Sequence, residues 1–223
     1  MPRNVLAVLL AVALGALAAC ERKAAETPFF PLDRGRTWTY VVTTDPGDGS
    51  EPLVLKVESL GAEDLGGRRV TREKIDLAGE THFRFTASDE RGVYRYATQS
   101  AGEAAPILDS VRDDLLVLPP ARAATWKGET GFSFLDGPDK VAIESVLDST
   151  NDVVDVPAGR FADCIRVDTR GSARGDDDAT YALTEQVWYA SGVGLVKSVA
   201  AETVSGPVPQ RIRVTTELVA YTR

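Results

Sequence analysis

From residue 37 onward, apolar and polar residues alternate with period two in segment after segment, and clusters of Gly, Pro and Asp separate the segments at intervals near ten residues. Successive side chains of a strand point to opposite faces, so this alternation buries one face and wets the other. Trp38, Tyr40 and Val42 share one face of a first strand, with Thr37, Thr39 and Thr43 on the other. The DPGDGS run at 45–50 supplies turn residues, after which Leu53, Leu55 and Val57 oppose Lys56 and Glu58. Further on, Phe83 and Phe85 alternate with His82 and Arg84, and the last strand sets Ile212, Val214 and Leu218 against Arg211, Arg213 and Glu217. The first five strands read as a meander, and ten or eleven strands cover the body. The fold class is therefore all-β: one strongly curved antiparallel sheet, with a β-sandwich as the alternative. One stretch breaks the rhythm. Between 101 and 123, Ile107, Leu108, Val111 and Leu115 fall at helical spacing and Pro119-Pro120 close the run, which predicts a short helix or ordered loop across the sheet's mouth.

The amino terminus has a different grammar. MPRNVLAVLLAVALGALAAC holds one early base, Arg3, an apolar run from Val5 to Ala19, and small residues before Cys20. This is an export signal, and its apolar run falls short of the roughly 20 residues a spanning helix needs. Leu17-Ala18-Ala19-Cys20 resembles the lipobox of bacterial lipoproteins. The resemblance implies removal of residues 1–19, a diacylglycerol thioether on Cys20 and acylation (palmitate, for instance) of its new amino group. Chains worth ~0.8 kcal/mol per buried CH2 would then hold the protein on the bilayer. Glu21 stands where the inner-membrane retention signal has Asp, so the resemblance favours the outer membrane, facing the periplasm. Residues 20–30 read as a lipidated tether.

The remaining 31–223 suffice for a single β domain. Its halves echo each other: Pro31, Arg34, Thr37 and Trp38 recur as Pro119, Arg122, Thr125 and Trp126 at a constant offset, which suggests two related halves, 31–100 and 119–223. With 25 Lys and Arg against 33 Asp and Glu, the net charge is -8, which argues against a nucleic-acid binder, since phosphate neutralisation needs a basic face. One His and two Cys leave no material for a disulfide framework or most zinc sites.

Three segments carry a family resemblance. Phe29-Phe-Pro-Leu-x-x-Gly-x-x-Trp-x-Tyr40, Val156-Pro-Ala-Gly-x-Phe-x-x-Cys-x-x-Val167 and Trp188-Tyr-Ala-x-Gly-Val-Gly-Leu-Val-Lys197 are similar to those of bacterial exported proteins and lipoproteins of no assigned activity. That resemblance implies a half-barrel like that of the lipoprotein carriers LolA and LolB, whose concave face holds acyl chains. Trp38, Tyr40, Trp126 and Trp188 are the candidate ligand-facing or core residues, with Trp38 and Trp188 expected to stack inside the sheet.

Candidate chemistry is sparse. His82 has no nucleophile or orienting partner in view, and no Gly-x-Ser-x-Gly elbow occurs. Cys164 reads as a small buried hydrophobe, a thiol activated by a basic neighbour, or half of an intermolecular disulfide. Asp176-Asp177-Asp178 and Asn151, Asp152 and Asp155 lack the spacing of a calcium loop and read as hairpin tips. No catalytic residue, metal or cofactor is assigned. The expected function is a lipid-anchored, non-enzymatic periplasmic binding protein that takes an apolar ligand or an envelope partner on its curved sheet. An assembly component of an envelope complex stands second, and an acid-pair hydrolase third.

Overall fold

The computed structural model describes residues 28–45, 51–175 and 179–222. The export signal, Cys20, most of the tether, positions 46–50 of the first turn and Asp176–Asp178 lie outside the described residues. Twelve strands follow one another: β1 (Thr37–Asp45), β2 (Leu53–Leu65), β3 (Arg68–Leu77), β4 (Glu80–Asp89), β5 (Gly92–Ser100), β6 (Ile107–Val117), β7 (Thr125–Thr130), β8 (Val141–Val156), β9 (Gly159–Arg174), β10 (Thr180–Ala190), β11 (Gly194–Ser205) and β12 (Gln210–Tyr221). All belong to one antiparallel sheet in the order β6-β5-β4-β3-β2-β1-β12-β11-β10-β9-β8-β7. A single sheet replaces the sandwich alternative. Two six-stranded meanders meet where β1 pairs with β12, and the sheet curls until β6 approaches β7, giving a nearly closed barrel. Thr37-Trp38 and Thr125-Trp126, the echo in the sequence, open the first strand of each meander.

The segment predicted as a helix or loop is strand β6. Its register against β5 slips twice, so that Asp109–Arg112 arch out opposite Tyr96 while Asp109 and Asp113 both reach Arg95. That bulge spaces the apolar residues irregularly and imitates a helical period. Among the described residues there is no helix. At the start of β5 the backbone passes so close to β6 that a Cβ on Gly92 would lie 2.3 Å from the Leu116 carbonyl oxygen, which only glycine allows.

Three apolar clusters hold the wall. One gathers Val93, Leu116, Leu147, Ile165, Val167, Val187 and Tyr189 from both meanders, so it lies inside the curl. A second, around Phe85, Val70, Ala87 and Tyr94, sits on the opposite face of β3–β5, where the Arg72 guanidinium stacks 4.0 Å above the Phe83 ring. A third joins Trp38 and Leu218 to Val154 and Cys164. The β8–β9 hairpin makes this one: bulges near Ser149 and Asp152, and Asp163 at φ 54°, bend it. Its tip reaches β12, where the Ala158 N–H donates to the Leu218 carbonyl at 2.9 Å. Each fully buried Leu or Phe in these clusters stabilises the fold by roughly 1.5–3 kcal/mol.

Candidate functional site

Cross-strand partners share a face, so the register identifies the side chains that look into the barrel. Trp38 pairs with Val57, Tyr40 with Leu55, Glu73 with Arg84, and Tyr189 with both Ile165 and Leu195. Residues of strands on opposite walls (β2, β3 and β4 against β10 and β11) enclose a common cavity of about 150 Å³. Its remaining wall is a strap, residues 28–36, that precedes β1 and lies over the barrel's end. Phe30 packs on Tyr189 with ring centroids 5.2 Å apart. Ser59 Oγ donates to the Leu32 carbonyl at 2.8 Å, and the Gly192 N–H donates to the Pro28 carbonyl at 2.7 Å. Trp38 Nε1 donates to the Val193 carbonyl at 2.6 Å, tying the first strand to the β10–β11 turn. Gly194, at φ +95°, lets that turn pass beneath Pro31.

The lumen is not wholly apolar. Glu73 is 2% exposed and accepts two hydrogen bonds from Arg84, Nε to Oε2 at 3.0 Å and Nη2 to Oε1 at 2.8 Å, with a third from Thr86 Oγ1 at 2.6 Å. Burial pushes the Tyr40 and Tyr189 phenols well above their ordinary range. Burial weakens the Arg84 guanidinium's hold on its proton, yet Glu73 strengthens it by more and the net shift is upward. Deeper in the barrel, burial raises the Asp113 carboxyl despite Arg95 at 3.2 Å. Burial and then the charge of Asp113 raise Glu185. At the end opposite the strap, Glu202 is 1% exposed and accepts the N–H groups of Ser133, Phe134 and Leu135 at 2.7, 3.0 and 2.9 Å. These bonds draw the β7–β8 loop over the mouth. A larger groove of about 620 Å³ lies on the outside of β7–β12, among Glu144, Asp168, Arg170, Arg211 and Arg213. It is of mixed charge, so an apolar ligand there would meet many polar groups; the smaller strap-covered cavity has the more apolar lining.

Trp38 and Tyr40 line the strap-covered cavity. Trp126 looks into the barrel beside Ser145, and its Nε1 donates to the Asp114 carbonyl at 2.8 Å. Trp188 packs against the core cluster of Trp38 and Cys164 but does not stack inward: it pairs with Arg166 and faces away from Tyr189, covered by the bent β8–β9 hairpin, with Nε1 donating to Asp152 Oδ2 at 2.9 Å. His82 is exposed. Cys164 is fully buried, and burial raises its thiol to about 11, the opposite of activation. Asp152 is engaged by Trp188 and Arg166, and Asp155 by Arg160 at 3.5 Å, so these acids do not converge with Asn151. Among the described residues no group of three or more His, Cys, Asp or Glu could hold a metal ion. Glu73, Arg84, Glu185, Glu202 and the strap escaped the sequence reading. The period-two signal that placed Arg84 opposite Phe83 and Phe85 could have found the four charged residues, had it told which face was inside, whereas the strap, outside every strand, carries no such signal.

No protein-family profile and no curated protein matches this chain. Two solved structures are similar to it. A presumed lipoprotein from Parabacteroides distasonis aligns over 88% of this chain and 99% of its own, at 15% identity and a TM-score of 0.45. An exported protein with a YmcC-like fold from Bacteroides fragilis aligns over 89% of this chain and 100% of its own, at 14% identity and a TM-score of 0.40. Likeness at this level defines neither ligand nor family for the chain.

Proposed function

We propose that the protein is a non-enzymatic, lipid-anchored binding protein of the bacterial envelope, held at the periplasmic face of the outer membrane, whose LolA/LolB-like barrel takes an apolar ligand beneath the strap. The cavity carries this reading: about 150 Å³ between Trp38, Tyr40, Leu55, Leu195 and the strap residues Phe30 to Leu32. A mainly apolar space of that size, with Glu73 and Arg84 on one wall, accommodates a ligand of about benzene's bulk. A longer acyl chain fits only if the strap swings out, which breaks a few hydrogen bonds and the Phe30–Tyr189 contact. The lipobox supports the anchor.

The test is native mass spectrometry of residues 21–223, which contain every strand, secreted into a bacterial periplasm and purified without detergent. A stoichiometric apolar adduct, lost in Leu55→Trp, is the expected result. A clean apo mass that stays clean after incubation with fatty acids and short alkanes refutes the lumenal ligand and leaves the assembly role.

A further inference from the structure

The free edges of the sheet face each other. β6 and β7 share no ladder among the described residues, and near the strap end they are pinned only where Trp126 Nε1 meets the Asp114 carbonyl. Toward the other end they part around a cavity of about 320 Å³, between Asp109, Val111 and Asp113 on one side and Glu129, Thr130 and the loop residue Asp139 on the other. β6 leaves Ile107 60%, Leu108 53% and Val111 46% exposed. An unpaired strand edge is a template for another strand, and chains commonly blunt it with Lys or Pro. The stretch Ile107–Val111 has neither, but its bulge at Asp109–Arg112 interrupts it, so the regular unpaired edge of the seam is that of β7, Thr125–Thr130. The seam is acidic on balance: four carboxylates, Asp109, Asp113, Glu129 and Asp139, line it against two cations, Lys140 and the Arg95 that Asp109 and Asp113 share.

We propose that this seam binds an extended segment of a partner protein, one in which apolar residues alternate with Lys or Arg, added as a strand along the β6–β7 edges. Main-chain hydrogen bonds to the free edges supply affinity. Apolar side chains on Ile107, Leu108 and Val111, and cations beside Glu129 and Asp139, supply specificity. A second copy of this chain fits poorly, because its own acidic edge would face the same acids.

The probe is a labelled hexapeptide of alternating Val and Lys, titrated by fluorescence anisotropy against mature protein in phosphatidylcholine nanodiscs, with a Val–Glu hexapeptide beside it. The Val–Lys peptide binds saturably, the Val–Glu peptide at least tenfold more weakly, and the exposed-site variants Leu108→Lys with Val111→Lys, or Glu129→Lys alone, each weaken Val–Lys binding at least tenfold. Equal affinity for both peptides, undiminished binding by those variants, or no binding by the parent overturns the proposal. So does a photocrosslink at position 108 that joins two copies of the chain, or binding of the Val–Lys peptide to empty nanodiscs alone.

Discussion

The ion pair in the lumen decides whether the barrel interior is dry. Removing one member of a buried pair costs about 3–5 kcal/mol, because the survivor keeps its desolvation penalty and loses its partner. Glu73 is 2% exposed and the Arg84 side chain 30%, so the two truncations are unequal. Glu73→Ala leaves a guanidinium that still borders the cavity, and should fall near the lower figure, about 3 kcal/mol. Arg84→Ala strands a carboxylate with Thr86 as its remaining described donor, and should fall nearer 5 kcal/mol, at about the upper figure. With a urea slope of ~2 kcal/mol per molar, these become midpoint shifts of ~1.5 M and ~2.5 M. The triple variant Glu73→Leu, Arg84→Met, Thr86→Val replaces pair and hydroxyl with apolar side chains of similar volume, and should unfold within about 1 kcal/mol of the parent or later. Chemical denaturation followed by tryptophan fluorescence reads all three. A loss under about 1 kcal/mol for both single variants, the value of an exposed pair, refutes the dry lumen. A triple variant as weak as the singles refutes the account of why they are weak.

Other outcomes follow from named groups. Cys164 should resist a thiol reagent in the native state and react only as fast as the barrel opens in denaturant; prompt stoichiometric labelling at neutral pH contradicts its burial. Asp89, held down to about 2 chiefly by its hydrogen bonds from Arg112 at 2.6 and 3.1 Å, stabilises the native state above its unfolded value near 4, and that stability fades as pH falls toward 2. Asp89→Asn should therefore unfold about 1 kcal/mol earlier at pH 6, with the gap narrowing through pH 2 and closing below it; a gap that does not shrink between pH 6 and pH 2 contradicts the assignment. Glu185 has the opposite sign: burial raises it, so its ionised form penalises the native state at neutral pH and the penalty vanishes on acidification through the raised value. Glu185→Gln should raise the midpoint at pH 7 but not at pH 4, and a lowered midpoint at pH 7 would show that the carboxylate has a partner. Cys20→Ala should release the protein from membranes, and retention after a salt wash refutes the acyl anchor.

The strands were legible because a strand with one buried face writes its period directly into the sequence, and the turns between them carry Gly, Asp and Pro for reasons of backbone geometry. Which face looks inward was not. β4 carries Phe83 and Phe85 on one side and Arg84 on the other, and the aromatic side looks like the core. A curl this tight makes two cores: the lumen, where Glu73 compensates Arg84, and an outer cluster around Phe85. Trp188 was misplaced for a related reason, since its cover comes from the tip of a hairpin bent by Asp163, a positive-φ residue that no pattern announces. β6 was lost to its bulge. The cavity's outer wall, the strap, has no period at all and owes its place to hydrogen bonds with Ser59 and Gly192.

The two ends of the barrel differ in what they can do. Strand alternation puts the strap, the β10–β11 turn and the Trp126–Asp114 pin at one end, and Ile107, Leu108 and the loop drawn in by Glu202 at the other. Were Cys20 acylated as proposed, the span from Cys20 to Thr27 would reach at most about 29 Å. On the proposed anchor the strap end would stay within that distance of the bilayer, with the open seam at the other end of the barrel. The strap is also the part of the barrel that the tether joins. Under the proposed anchor and ligand, a pull on the chain before Pro28 would load the Pro28–Gly192 hydrogen bond before any strand, so a ligand could exchange past the strap without disruption of the twelve-stranded wall.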